Sequence, residues 1–338
     1  MIILSNCLTK TVDEGCLKVA NSLIRRIKKA CPETKVISYE TSSELADLHL
    51  EINNRFAFSP RLAKILLESG EHLLYFPQVA KMKAMAVRVF LMSMFARKGM
   101  SVVLVMQHDM NLFSKLILKL SRARLITLSR DAWQYYHDRL GDQAVYIKTG
   151  VDTKRFVPVP PERKAELRRK YGIPADKPVV LHVGHLNGRR NLGHLLELDE
   201  QFHIVVVTSS WVAHQRDESL RTALLSKSNV TLFEGYLPDI AEIYQLSDVY
   251  FFPVVNTHGC INVPLSVMEA ASCGIPVAAT RFGELKELED CEGFHWIESF
   301  EPEDLNCLLK QAMAGNADIR SGVLDYDWDH ALQYFLKP

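Results

Sequence analysis

From end to end the chain alternates short apolar runs with longer segments of helical periodicity, and few architectures accept that rhythm. "MIILS" (1–5) precedes "CLKVANSLIRRIKKA", where Leu17, Ala20, Ile24 and Ile27 recur at helical spacing. "SVVLVM" (101–106) precedes "LFSKLILKLSRA", and "RLITLS" (124–129) precedes "DAWQYYHDRL". After residue 150 come "VVLHVG" (179–184), "FHIVVVTSS" (202–210), "VTLFEG" (230–235), "VYFFPVV" (249–255) and "IPVAAT" (275–280). Runs that are apolar on both faces, separated by helices, predict α/β units with parallel sheets covered on both sides.

At 338 residues the chain exceeds what one core usually serves. The proline-rich, charged stretch "FVPVPPERKAELRRKYGIPADKP" divides it, and the boundary is expected near 156. Two doubly wound sheets facing across a cleft would bind ligands at their strand C-terminal edges. Residues 1–150 carry 22 Lys+Arg against 13 Asp+Glu, and residues 151–338 carry 18 against 27. The halves are thus +9 and −9, which suits different partners. No aromatic-basic repeat or zinc spacing points to nucleic acid. Seven cysteines without a C-x-x-C pair argue for a reducing, cytoplasmic setting. "MIILSNCLTK" reads as a first buried strand rather than a signal peptide. The greasy region 84–106 is interrupted by Arg88, Arg97, Lys98 and Gly99 and is not a membrane span.

Two segments of the second half suggest an anion site. After "VVLHVG" a turn carries Gly184, His185, Arg189 and Arg190 and is expected to lead into a helix. Glycine admits close backbone approach, while a cation and a helix start favour phosphate. In "PLSVMEAASCGIPVAAT" (264–280), Pro264 and Gly274 bracket a short helix bearing Glu269, and Val277–Thr280 reads as the next strand.

"VVLHVGHLNGRRNLGHLLEL", "VTLFEGYLPDIAEIYQLSDVYFFPVV" and "VPLSVMEAASCGIPVAATRFGELKEL" resemble successive motifs of the family-four retaining glycosyltransferases of the GT-B type. "ITLSRDAWQYYHDRLGDQAVYIKTGVDTKRFVPV" looks like that family's passage between domains. "YDWDHALQYF" is similar to its Trp-containing helix, which crosses back to the first domain. The resemblance implies an acceptor-side Rossmann-like domain (1–156), a nucleotide-sugar domain (157–325) and a terminal crossing helix (326–338).

It also implies roles. Arg190 matches the family's diphosphate-binding lysine, and His185 stands where the family usually has an arginine. Glu269 matches the glutamate that accepts from the ribose hydroxyls. The family's other glutamate, eight residues earlier, is absent; Asn262 is the nearest polar residue, with Val263 beside it. Asn262 and Glu269 would share a face if the helix reached back that far. Thr208, Ser209 and Ser210 replace a glycine-rich turn, with Ser209 expected at the nucleotide. Gly235-Tyr236-Leu237 resembles the stretch at the base, and Gly15 matches a glycine loop beneath the donor phosphates. His108, past the strand at 101–106, is expected to face donor sugar and acceptor. Catalysis would then fall to Arg190 and His108.

"DYDWD" (325–329) contains D-x-D patterns, but it precedes a helix that an Asp would cap, so no metal or other cofactor is expected. "KMKAMAVRVFLMSMFARK" (81–98) and "LFSKLILKLSRARL" (112–125) mix cations with apolar residues. The simpler expectation is that their apolar sides are core. Docking on an anionic membrane, at the inner face of one carrying a lipid-linked acceptor, is the alternative that the +9 charge keeps open. The expected activity is retaining transfer from a nucleotide diphosphate-sugar, taken as uridine-linked, to a glycan or glycolipid hydroxyl. A nucleotide-sugar-binding protein without transfer and a sugar-nucleotide epimerase are the rivals.

Overall fold

The computed structural model describes residues 1–9, 14–52, 54–78, 81–208, 217–255 and 260–336. The chain divides into two compact units, Met1–Thr149 with Trp328–Pro338, and Gly150–Asp327.

The first unit is built from β1 (Ile2–Ser5), α1 (Gly15–Ala30), β2 (Lys35–Tyr39), β3 (Leu48–Leu50), α2 (Pro60–Ser69), β4 (Leu73–Phe76), α3 (Met82–Ser93), β5 (Met100–Leu104), α4 (Leu112–Ser121), β6 (Arg124–Thr127), α5 (Arg130–Leu140) and β7 (Ala144–Tyr146). Its sheet runs β3-β2-β1-β4-β5-β6-β7, every neighbouring pair parallel. The order reverses between β1 and β4, the place where a doubly wound sheet opens toward ligand. β1, β4 and β5 are buried along their whole length, as strands covered by helices on both faces must be. The buried hydroxyls of Tyr39 and Tyr75 bond to each other at 2.6 Å, so these core rings leave no polar atom stranded.

The two basic segments part company here. α3 turns Met82, Met85, Ala86, Val89 and Met92 into the core, as expected. α4 does the reverse. It buries Ser114, Leu118 and Ser121 and leaves Leu112, Phe113, Leu116 and Leu120 exposed. The expectation of a core-facing apolar side fails for this helix, which packs against α3 and α5 with Ser114, Leu118 and Ser121 on its buried side.

The second unit contains α6 (Pro161–Tyr171), β8 (Val179–Val183), β9 (His203–Thr208), α7 (Glu218–Leu225), β10 (Val230–Glu234), α8 (Ile240–Gln245), β11 (Val249–Phe252), α9 (Leu265–Ser272), β12 (Val277–Ala279), β13 (Phe294–Trp296) and α10 (Pro302–Ala314). Its parallel sheet runs β10-β9-β8-β11-β12-β13, with the order reversing between β8 and β11. Pro161 starts α6, where a missing N–H costs nothing, and Gly172 at φ 67° ends it.

Residues past Thr149 belong to this unit rather than to the first. Val151 N–H donates to the Tyr326 carbonyl at 3.1 Å, and Asp327 accepts from Thr153 N–H at 2.9 Å and from its hydroxyl at 2.5 Å. Arg320 donates to the carbonyls of Thr153 and Phe156 at 2.8 and 2.7 Å. The division therefore falls ahead of position 156. α11 (Trp328–Leu336) packs on α1, where Asp329 pairs with Arg26 at 3.1 Å. Two of the D-x-D carboxylates, Asp327 and Asp329, thus have structural partners. No group of three or more metal-ligating side chains occurs among the described residues.

Candidate functional site

The second unit's switch point is the best-formed candidate. β8 and β11 pair only at Val180–Val249 and Leu181–Tyr250, then part. Side chains replace the ladder beyond that point. Tyr250 Oη donates to the Val183 carbonyl at 3.1 Å and accepts from Val183 N–H at 3.3 Å. His182 Nδ1 lies 2.9 Å from the Phe251 carbonyl, and because a carbonyl only accepts, Nδ1 carries the proton. His182 is fully buried and stacked on Tyr250, with ring centroids 6.2 Å apart. Burial first, and the Arg190 charge second, push its pKa down from 6.5 to about 3. The ring is neutral at physiological pH, and its Nε2 lone pair has no hydrogen-bond partner among the described residues.

Arg190 lies over the end of β8. A Cβ on Gly184 would stand 2.0 Å from Arg190 Nη1, 2.9 Å from Cζ and 3.2 Å from His182 Nε2. Glycine is there because the guanidinium occupies the space a side chain would fill. Arg190 is only 6 % exposed, and its Nε has no hydrogen-bond partner among the described residues. A buried N–H of a charged group is rarely left unmatched unless something else binds it. Cys260 lies close by; burial pushes its thiol pKa up, and the Arg190 charge pulls it back.

A run of rings connects this turn to Glu269. His182 stacks on Tyr250, whose ring lies 6.0 Å from that of Tyr244, and Tyr244 Oη donates to Glu269 Oε2 at 2.9 Å. Burial first and the Glu269 charge second push the Tyr244 pKa well above its ordinary value, so it stays a donor. Glu269 is 3 % exposed, so any ribose contact would share its carboxylate with Tyr244.

Several expectations change. No α-helix follows the glycine-arginine turn. Asn187 caps a 3₁₀ turn over Gly188–Arg190, Asn191 takes φ 55°, and a second 3₁₀ turn covers Leu192–Glu197. The left-handed residue between them prevents a continuous α-helical start, so Arg190 itself, rather than a helix dipole, is the main positive charge. Asn262 is not helical either, since α9 begins after Pro264. Its carbonyl accepts from Glu284 N–H at 2.9 Å and lies 2.2 Å from where a Gly283 Cβ would be. Asn262 and Glu269 therefore do not share a helix face. Val263 is 1 % exposed and packs toward Gly150, which leaves only its backbone for a ligand.

His185 is half-buried beside Gly184. Gly235 adopts φ 102° and donates to the Thr208 carbonyl at 2.9 Å, while Tyr236 is exposed and Leu237 half-buried. Ser209 lies outside the described residues. His182 was not singled out by sequence. Its only signal was a histidine inside an otherwise apolar strand.

In the first unit, Gly15 is the first residue of α1 rather than a loop residue. His108 follows β5, and Tyr136 holds its backbone twice, accepting from its N–H at 2.8 Å and donating to its carbonyl at 3.1 Å. Tyr135 fixes the same loop by accepting from Met110 N–H at 2.8 Å.

Residues 177–313 match the family described as Glycosyl transferases group 1. A GDP-mannose-dependent monoacylated alpha-(1-6)-phosphatidylinositol monomannoside mannosyltransferase of Corynebacterium glutamicum is 27 % identical over 154 residues. That match covers 42 % of this chain and 39 % of the relative, so the chain spans about two fifths of that protein's length. A glycosyltransferase from Rickettsia africae superposes with a TM-score of 0.79 at 16 % identity, covering 99 % of this chain and 96 % of that one. HepE of Anabaena, solved with UDP and glucose, gives 0.73 at 16 % identity, covering 99 % and 97 %. These likenesses establish a GT-B fold of two Rossmann-like units.

Proposed function

We propose that this chain, whose second unit carries a glycosyl transferases group 1 domain, is a glycosyltransferase that uses a nucleoside diphosphate-sugar. On this reading the donor is uridine-linked and the acceptor is a hydroxyl of a glycan or lipid-linked glycan. Transfer proceeds with retention. The observation that carries the proposal is the buried Arg190 guanidinium over Gly184 at the β8–β11 opening, with its Nε unmatched among the described residues. A diphosphate supplies the missing acceptor oxygens.

The chemistry follows from that placement. The anomeric carbon–oxygen bond to the diphosphate breaks, and its electron pair leaves on the phosphate oxygen. Arg190 and nearby backbone N–H groups stabilise that charge as it develops. The acceptor oxygen bonds to the same face of the sugar, and its proton passes to the leaving phosphate. Charge neutralisation is assigned to Arg190 rather than to a metal. His108 is assigned to the acceptor, and Glu269, shared with Tyr244, to the ribose.

The test is turnover of wild type and Arg190→Ala across uridine, guanosine and adenosine diphosphate-sugars with glycan and lipid-linked acceptors. Loss of one preorganised donor at the leaving group predicts a fall of about 10²–10³ in kcat. Full activity in the variant would remove Arg190 from the mechanism. Binding without turnover on every acceptor would favour a binding protein, and interconversion of the donor sugar without acceptor an epimerase.

A further inference from the structure

α4 is amphipathic the wrong way round for a helix that only covers a sheet. Leu112, Phe113, Leu116 and Leu120 are 84, 50, 59 and 58 % exposed. At 3.6 residues per turn they occupy one stripe about 100° wide. Lys115, Lys119 and Arg122 project along one flank of that stripe, and Ser114, Leu118 and Ser121 occupy the buried side. The helix is fixed at both ends: Asn111 Oδ1 accepts from Ser114 N–H at 2.9 Å, and Arg122 closes it at φ 54°. A rigid stripe of large apolar side chains beside a row of cations is exposed to water with no matching surface among the described residues of its own unit.

The charge around it selects the partner. Residues 72–130 contain ten Lys and Arg and a single acid, Asp109. A second copy of this chain offers that stretch no complementary charge from its own α4. An anionic bilayer offers both a hydrocarbon boundary for the leucines and a negative surface for the flanking cations. No described helix is long and apolar enough to cross a membrane, so the contact is peripheral. The loop bearing His108 runs directly into the N-terminus of α4.

We propose that α4 lies in the headgroup layer of an anionic membrane, with Leu112, Phe113, Leu116 and Leu120 inserted and Lys115, Lys119 and Arg122 on phosphates. That this places a lipid-linked acceptor beside the His108 loop rests on the function proposed above; the docking itself does not.

The test is flotation of the full chain with phosphatidylcholine vesicles containing about 30 % phosphatidylglycerol, and with phosphatidylcholine alone. Wild type should float with the anionic vesicles and release as salt rises from about 0.05 to 0.5 M, because screening shortens the reach of the cations. Leu116→Glu/Leu120→Glu should lower partitioning at least about tenfold, since two exposed apolar anchors become charges. Lys115→Gln/Lys119→Gln should lower it on anionic vesicles only. All four positions are exposed or half-buried, so circular dichroism should be unchanged, and calorimetric binding of uridine diphosphate should match wild type. Equal flotation of wild type and both variants, or none on anionic vesicles, overturns the proposal. So does concentration-dependent self-association abolished by the leucine variant, which would make α4 an interface between copies. Normal vesicle binding without any nucleotide binding would defeat the proposed function and leave the docking intact.

Discussion

Gly184→Ala separates the role of Arg190 from the stability of the fold. The new methyl would stand 2.0 Å from Nη1 and 2.9 Å from Cζ, so the guanidinium must retreat by about 1.4 Å to reach ordinary contact. The severe clash is with the far end of a flexible side chain, and the 3.2 Å approach to His182 Nε2 asks that ring to give only by a few tenths of an ångström, so the backbone can stay in place. Gly184 is outside the left-handed region, so alanine fits its backbone and reduces the freedom of the unfolded chain. The thermal midpoint should hold steady or rise slightly. A displaced charged donor forfeits about 1.5–3 kcal/mol of interaction with a phosphate oxygen, or about 10- to 150-fold. Titration calorimetry with uridine diphosphate should show that loss, and kcat/KM for donor should fall at least as far. A folded variant with wild-type affinity and turnover would mean that the guanidinium does not act from over Gly184.

The remaining expectations concern pH and backbone. His182 has its folded pKa depressed to about 3 from an ordinary 6.5, so protons bind the unfolded chain first. Its contribution is complete above about pH 6.5 and is lost as pH falls from there toward 3. Between pH 7 and 5 wild type should lose about 2 kcal/mol more than His182→Gln in urea unfolding, the lowered His72, His203 and His295 cancelling in the difference. Equal losses would show that His182 is not buried and neutral. Gly283→Ala adds a methyl 2.2 Å from the Asn262 carbonyl at φ 52° and should cost about 1–3 kcal/mol, read as a lower thermal midpoint. An unchanged midpoint would show that the 260–263 segment is not clamped there.

The strands that sequence made legible are those buried on both faces, such as Val179–Val183, His203–Thr208 and Val249–Phe252, because that burial writes an uninterrupted apolar run. Leu48–Leu50, Ala144–Tyr146 and Phe294–Trp296 are three residues long and too short to write one. The leucines after Asn187 mimic a helix, but Asn191 in the left-handed region turns the segment into two 3₁₀ turns. The spacing of Asn262 and Glu269 suggested a shared face that Pro264 at the start of α9 forbids. In α4 the apolar pattern was plain, yet its direction was not. Periodicity identifies a stripe, and only the packing of Ser114 and Ser121 reveals that the stripe faces outward. His182 shows the same limit, since a strand histidine reads as core until its neighbours Arg190 and Phe251 are placed.

The most direct measurement is a crystal structure of the protein soaked with uridine diphosphate. The diphosphate should lie at the β8–β11 opening, with a phosphate oxygen about 2.7–2.9 Å from Arg190 Nε. A diphosphate bound elsewhere, with that nitrogen still unmatched, would contradict it.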